Sequence, residues 1–250
     1  MVKFEGFGEN FADRGDDFLA WATSREPVPY EDAVAAMERR VDAIHRGEEG
    51  ELVWLLQHPP LYTAGTSAKP EDLLDAQGLP VFQTGRGGQF TYHGPGQRIA
   101  YLMLDLSRRG KDVRRFVRDI ERWVIDALGG LGVDATCRTG RTGIWVPRPE
   151  KGPLAEDKIA AIGIRVRRWV SFHGVSINVD PELTHYDGIV ACGIRDQGVT
   201  SLTDLGKNAS MDDLDTALAS AFSRHFGSRA APDPELDLNS PSSHPENVPL

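Results

Sequence analysis

Cysteine occurs only at Cys137 and Cys192 in 250 residues. Two thiols so far apart cannot build the disulfide framework of a small secreted domain, and they cannot supply a CxxC zinc site. Each is either a small buried apolar residue or a reactive thiol. A basic excess is missing too: 28 Lys and Arg stand against 37 Asp and Glu, a formal charge of -9. Proteins that live on nucleic-acid phosphates carry the opposite balance, so any cationic contact surface must be local. No stretch approaches the roughly 18 consecutive apolar residues of a bilayer span. Met1 to Asp17 carries Glu5, Glu9, Asp13, Asp16 and Asp17 where a signal peptide needs a basic and then an apolar run, which points to the cytoplasm.

What is present is an ordinary globular mixture, with 40% hydrophobic and 26% charged residues, enough for a substantial core. One compact domain over residues 1–228 is expected. Arg229 to Leu250 holds five of the sixteen prolines and four acids, and it reads as a disordered, Pro-rich acidic tail. Val34, Met37, Val41 and Ile44 recur at steps of three and four and predict a helix from Pro29 to Arg46. The same spacing predicts helices over Asp112 to Leu128 and over Met211 to Phe226, the last opened by Ser210 as N-cap with Asp213 three residues on. Strands are expected at Leu52 to Gln57, Val81 to Gln83, Gln89 to His93, Arg98 to Leu106, Ile144 to Val146, Ile159 to Arg167 and Val170 to Asn178. The last two should form a hairpin across Arg168-Trp169. Leu61 to Lys69 reads as a loop after the Pro59-Pro60 break. Helices and strands mix without a βαβ rhythm, so the fold class is α+β, with a mixed, largely antiparallel sheet flanked by helices.

Special residues concentrate between Gly85 and Gln97. The run Gly85-Arg86-Gly87-Gly88-Gln89-Phe90-Thr91-Tyr92-His93-Gly94-Pro95-Gly96-Gln97 is neither a P-loop nor a dinucleotide fingerprint. Glycines on both sides of a short strand let backbone N–H groups approach a ligand; two hairpin turns with a surface histidine would use the same residues. Cys192, followed by Gly193, is the better nucleophile candidate, because the glycine permits a tight backbone around the thiol. Cys137, by alternation, falls on a buried face with Val133 and Ala135. A thiol with its ordinary pKa of roughly 8.5 is only a few per cent ionised at neutral pH, so a cationic helper is needed. Lys158, at the mouth of the apolar strand that starts at Ile159, is one candidate, and His58, His93 and His173 are rivals.

Several of these segments occur together in one known family. Leu55-Leu56-Gln57-His58-Pro59-Pro60, Thr63-Ala64-Gly65-Thr66-Ser67, Arg86-Gly87-Gly88 through Gln97, Lys158-Ile159-Ala160-Ala161-Ile162-Gly163, Ser171-Phe172-His173-Gly174-Val175-Ser176 and Cys192-Gly193-Ile194 follow in order. Over about Tyr30 to Leu205 the chain resembles the LipB family of lipoate-biosynthesis octanoyltransferases. The resemblance implies a fold shared with biotin and lipoate protein ligases. It also implies transfer of an octanoyl group from acyl carrier protein to a lysine of a lipoyl domain, in 2-oxoacid dehydrogenases or in the glycine cleavage H protein. Carried over by position, Cys192 would form the acyl thioester and Lys158 would lower its pKa and serve as base. Arg86, Gly87, Gly88, Gln89, Phe90, Thr91, Tyr92 and His93, with Ala161, Ile162, Gly163, Gly174, Val175 and Ser176, would line the substrate site. Ala191 stands where the family commonly has proline, and the acidic tail lies outside its pattern.

The chemistry so implied needs no cofactor, metal or nucleotide, because thioester exchange is nearly isoenergetic and the final amide is more stable. Burial of the acyl tail at roughly 0.8 kcal/mol per CH₂ offers about 5 kcal/mol, and one methylene discriminates by only about tenfold. Acidic protein substrates would need a local cationic surface, either Arg114, Arg118 and Arg122 at successive i+4 positions or Arg165, Arg167 and Arg168 by the hairpin. Two competing readings are an ATP-dependent ligase of the same fold, in which Cys192 is incidental, and a non-catalytic acyl-carrier binding module.

Overall fold

Alternation along the central strands decides where the helices go. In β2 (Leu52–Leu56), Val53 and Leu55 join one apolar cluster while Leu52, Trp54 and Leu56 join another. In β6 (Gln97–Met103), Ala100 and Leu102 go with the first set and Ile99, Tyr101 and Met103 with the second. A strand buried on both faces must be covered on both. The computed structural model, which describes residues 18–190, 198–227 and 229–232, supplies those covers. Helices α2 (Val113–Gly130) and α3 (Met211–Phe226) pack Ile120, Trp123, Val124, Leu218 and Phe222 on one face, and α1 (Tyr30–Arg46) packs Ala33, Met37 and Val41 on the other.

The sheet between them is mixed and mostly antiparallel. Its path begins with β12 (Arg229–Pro232), β1 (Phe18–Thr23), β2 and β6. It continues through β10 (Val170–Asn178), β9 (Glu156–Arg167), β8 (Arg141–Pro147) and β7 (Thr136–Arg138). The two-residue strand β11 (Gly198–Val199) runs parallel to β9 at Asp157 and Lys158. A smaller sheet has β3 (Leu61–Ala64) in the middle, parallel to β4 (Val81–Gln83) and antiparallel to β5 (Phe90–His93). The architecture is α+β, and no helix among the described residues is long and apolar enough to cross a membrane.

The three helices and the β9–β10 hairpin fall where the periodicity places them. Asp112 caps α2 and Ser210 with Asp213 closes a capping box on α3. Four expectations change. Leu61 to Ala64 is a fully buried strand instead of a loop. The strands on either side of Gly85–Gly88 do not pair with each other but flank β3, and Gly94-Pro95-Gly96 joins strands of two different sheets. Cys137 is exposed, because β7 lies at the sheet edge. Arg229 to Pro232, read as the start of the tail, instead forms a ladder beside β1.

Candidate active site

A cavity opens between the small sheet and the α1 side of the large one. Its floor comes from β9 and β10, where Ala161 pairs with Ser176 and Gly163 with Gly174 on one face. Two cross-strand pairs without a large side chain leave open a space that the α1 cluster fills elsewhere. The close approach is enforced: a Cβ on Gly174 would lie 1.8 Å from the Ala100 carbonyl oxygen, and one on Gly163 would lie 2.8 Å from Arg86 Cδ. The open space is about 480 Å³ with its mouth and the adjoining solvent included.

Arg86 holds the wall opposite. Its guanidinium donates to the carbonyls of Thr63 at 2.9 Å, Gln89 at 3.0 Å and Gly87 at 3.0 Å, and to Thr63 Oγ1 at 2.7 Å. Backbone bonds tie the same loop down, from Thr66 N–H to Arg86 O at 2.9 Å, Ser67 N–H to Gly88 O at 3.0 Å and Gly87 N–H to Ile164 O at 3.0 Å. Two glycine-rich motifs, Thr63 to Ser67 and Arg86 to Gln89, therefore act as one unit, clamped to the end of β9.

The aromatic and imidazole groups around the cavity are uncharged. His58 donates from Nδ1 to Val28 O at 2.6 Å and accepts the Tyr101 hydroxyl on Nε2 at 2.8 Å. His93 donates from Nδ1 to Gln97 Oε1 at 2.7 Å, with Thr63 Oγ1 at 3.3 Å from Nε2. Burial pushes the His58 pKa down to about 4 and that of His173 to about 3, the nearby Arg86 charge adding to the second; His93 is held well below its ordinary value for the same reasons. Burial also lifts Tyr30 to about 12 and Tyr101 well above the ordinary tyrosine range.

His173 reaches the cavity through a backbone irregularity. Val175 and Ile177 point into the α2 and α3 layer and Phe172 into the α1 layer, so plain alternation would send residue 173 away from the cavity. Its φ of +60° turns the ring instead to the side of Phe172 and Tyr101. The Ser171 hydroxyl takes up part of the interrupted ladder, donating to Leu102 O at 2.8 Å and accepting the Leu104 N–H at 3.1 Å. A left-handed non-glycine residue inside a strand costs roughly 1–3 kcal/mol and is retained where the surroundings dictate it.

Of the expected substrate-site residues, Arg86, Gln89, Phe90, Thr91, His93, Ala161, Ile162, Gly163, Gly174, Val175 and Ser176 line this cavity. Gly87 and Gly88 are clamp residues behind it, and Tyr92 belongs to the apolar cluster of the small sheet. Tyr30, Ile99, Tyr101 and His173 line it as well. Tyr101 and Ile99 share the cavity face of β6 by alternation, which is the signal that could have found them; Tyr30 carries none beyond its place at a helix start. Lys158 is buried farther along β9, beside its cross-strand partner Trp145, with Nζ 4.4 Å from that ring centroid and 3.4 Å from the Thr142 carbonyl. Cys192 lies outside the described residues. The chain is anchored before it by Val190 N–H to Asp72 O at 2.8 Å, and after it by β11, where Val199 pairs with Lys158. No cluster able to hold a metal ion occurs among the described residues.

The lipoyl protein ligase A/B catalytic domain family matches residues 29–223. An octanoyltransferase of Jannaschia sp. is 62% identical over 214 residues, covering 84% of this chain and 99% of that protein. One from Caulobacter vibrioides is 60% identical over 209 residues, covering 84% and 92%. Among solved structures, a bipartite lipoate protein ligase of Thermoplasma acidophilum matches with a TM-score of 0.65 at 18% identity, over 86% of this chain and 87% of that one. A lipoate-protein ligase A bound with ATP gives 0.62 at 17% identity, over 86% and 88%. At those identities the structural likeness concerns the fold alone.

Proposed function

We propose a course of acyl transfer from one premise: this chain belongs to the LipB octanoyltransferases of the lipoyl protein ligase A/B family and moves an octanoyl group in protein lipoylation. The donor in this reading is an octanoyl thioester on acyl carrier protein. The acceptor is a lysine of a lipoyl domain, in a 2-oxoacid dehydrogenase or the glycine cleavage H protein. The cavity over Ala161, Gly163, Gly174 and Ser176 receives the acyl chain. The observation that carries this is its lining: the floor is made of small and apolar residues, the two imidazoles on the wall, His93 and His173, are uncharged, and the Arg86 donors are taken up by backbone carbonyls.

Cys192 and Lys158 do the chemistry as a thiolate and an ammonium. The thiolate adds to the thioester carbonyl, a new C–S bond forms, and the bond to the carrier sulfur breaks. The carrier thiol leaves with the proton from Lys158. The acceptor amine then attacks the Cys192 thioester, its surplus proton passes to the now neutral Lys158, and Cys192 departs as thiolate, restoring the starting pair. Trp145 and the Thr142 carbonyl hold the Lys158 ammonium in position, the ring face with its centroid 4.4 Å from Nζ and the carbonyl accepting from it at 3.4 Å.

Intact-mass measurement after incubation with octanoyl carrier protein, without nucleotide, tests the course. The wild-type chain should gain one octanoyl group and lose it when a lipoyl domain is added. Cys192→Ala should gain none, and Lys158→Met should acylate at least about a hundredfold more slowly, the usual scale for losing a positioned acid or base. Full turnover by Cys192→Ala would overturn the thioester route.

A further inference from the structure

A second opening lies on the far side of Lys158, between α2 and the β7–β8 hairpin. It is larger than the cavity, about 1360 Å³ with its mouth included. Its wall on α2 carries Arg114, Arg118 and Arg122, spaced so that successive guanidinium groups stack along one helix face, and the hairpin adds Arg138 and Arg141. In a chain of formal charge -9 this is a concentrated reversal of sign.

The carboxylates nearby do not cancel it evenly. Glu156 holds Arg141 at 3.1 Å and is hydrogen-bonded by Arg138 Nε at 3.1 Å. Asp119 stands 3.8 Å from Arg122 and 3.7 Å from Arg115. Glu121 is turned inward to the Gly143 N–H at 3.4 Å, and burial raises its pKa against the opposing pull of Arg118. Arg114 and Arg118 are exposed and make no ion pair among the described residues. In the rival basic patch two of the three cations have partners, Arg167 with Asp42 at 2.8 Å and Arg165 with Glu38 at 3.9 Å, both over the Phe172 ring, which leaves exposed Arg168.

The groove also leads to the chemistry. Thr142, which lines it, offers its carbonyl to Lys158 Nζ, and a Cβ on Gly143 would lie 3.2 Å from Lys158 Cε. Exposed Val113 and half-buried Val117 add apolar contact between the arginines.

We propose that this groove docks the acyl donor: an acidic carrier protein lays a carboxylate-bearing helix along Arg114, Arg118 and Arg122 and so brings its thioester to Lys158. The inference rests on the reading that the octanoyl group arrives on such a carrier. Charge complementarity of this kind acts mainly on encounter and is weakened by salt, since the screening length falls to about 10 Å at 0.1 M.

The test is the double variant Arg114→Glu with Arg118→Glu in the full chain, assayed for transfer to a lipoyl domain from two donors, octanoyl carrier protein and uncharged octanoyl-pantetheine. The expected result is a carrier KM raised about tenfold or more, an unchanged rate with octanoyl-pantetheine, and a flattened salt dependence with the carrier. Arg114→Lys with Arg118→Lys should retain the wild-type carrier KM. An unmoved carrier KM overturns the docking while leaving the transferase reading standing. Equal slowing with both donors, or a rise confined to the acceptor KM, also overturns it, the latter assigning the groove to the lipoyl domain. No transfer by the wild-type chain from either donor would overturn both readings together.

Discussion

The two imidazoles that line the cavity, His93 and His173, and His58 beside them couple binding chemistry to stability. An unfolded histidine takes a proton near pH 6.5, while His58 and His173 in the folded chain wait until about 4 and about 3, and His93 also titrates well below its ordinary value. Below about pH 6.5 the unfolded chain therefore binds protons that the folded chain refuses, so this contribution is complete above that pH and is lost as acid is added. Asp215, raised to about 6 by burial beside Arg98, works the other way between about pH 4 and 6 and offsets one of the three. A net of roughly two protons amounts to at most about 3 kcal/mol per pH unit in that window. Denaturant midpoints at pH 7, 6 and 5 should fall accordingly. NMR signals of the three rings, assigned by single substitution, should stay at their neutral positions down to pH 5, and a midpoint near 6.5 for any of them would contradict an uncharged cavity.

Strands β6, β9 and β10 make the floor, and their separation is set by missing side chains. With the Ala100 carbonyl oxygen 1.8 Å from where a Cβ would sit, Gly174→Ala must push backbone against backbone. Overpacking of this sort costs about 1–3 kcal/mol, and a backbone obstacle places the expected loss at the upper end. Chemical denaturation measures it, and a loss below about 0.5 kcal/mol would mean that the two strands slide apart freely. The sequence announces Gly174 and Gly163 as candidates through their family motifs, yet spacing alone says nothing of what they touch. The helices were legible because apolar residues at three and four steps have one cheap arrangement, and Ser210 with Asp213 marks an end that backbone N–H groups require. Strand β3 was not, because Pro59 and Pro60 precede it and Gly65-Thr66-Ser67 follow, leaving only four residues between two breaks; its burial comes from neighbours on both sides that only the fold supplies. His173 has no sequence mark for its left-handed backbone. Tyr30 and Tyr101 look like core aromatics, which they also are, and only the small residues opposite turn them into cavity walls.

At the scale of the whole molecule, the change of composition after Gly227 suggests a domain ending at residue 228, but the sheet continues past that point. Arg229 to Pro232 lies parallel to Phe18 to Trp21 and covers the outer edge of β1. Composition fails here because an edge strand is the one place in a sheet where proline is tolerated, since its missing N–H can face outward, so Pro232 reads as a breaker although it ends a ladder. Uncovering β1 would leave a row of backbone N–H and C=O groups unpaired, which both weakens the fold and offers a template for another chain. Two truncations separate the ladder from the residues beyond it. Ending the chain after Pro232 should keep Tm within about 1 °C, whereas ending it after Gly227 should lower Tm by several degrees, at about 2–4 °C per kcal/mol for a domain of this size, and raise light scattering on heating. Acyl transfer should survive in both, because the cavity, Lys158 and the arginine groove all lie on the opposite half of the strand order, from β6 to β7. Equal melting temperatures for the two truncations would show that the edge ladder adds nothing to the fold, and the boundary read from composition would then be the physical one.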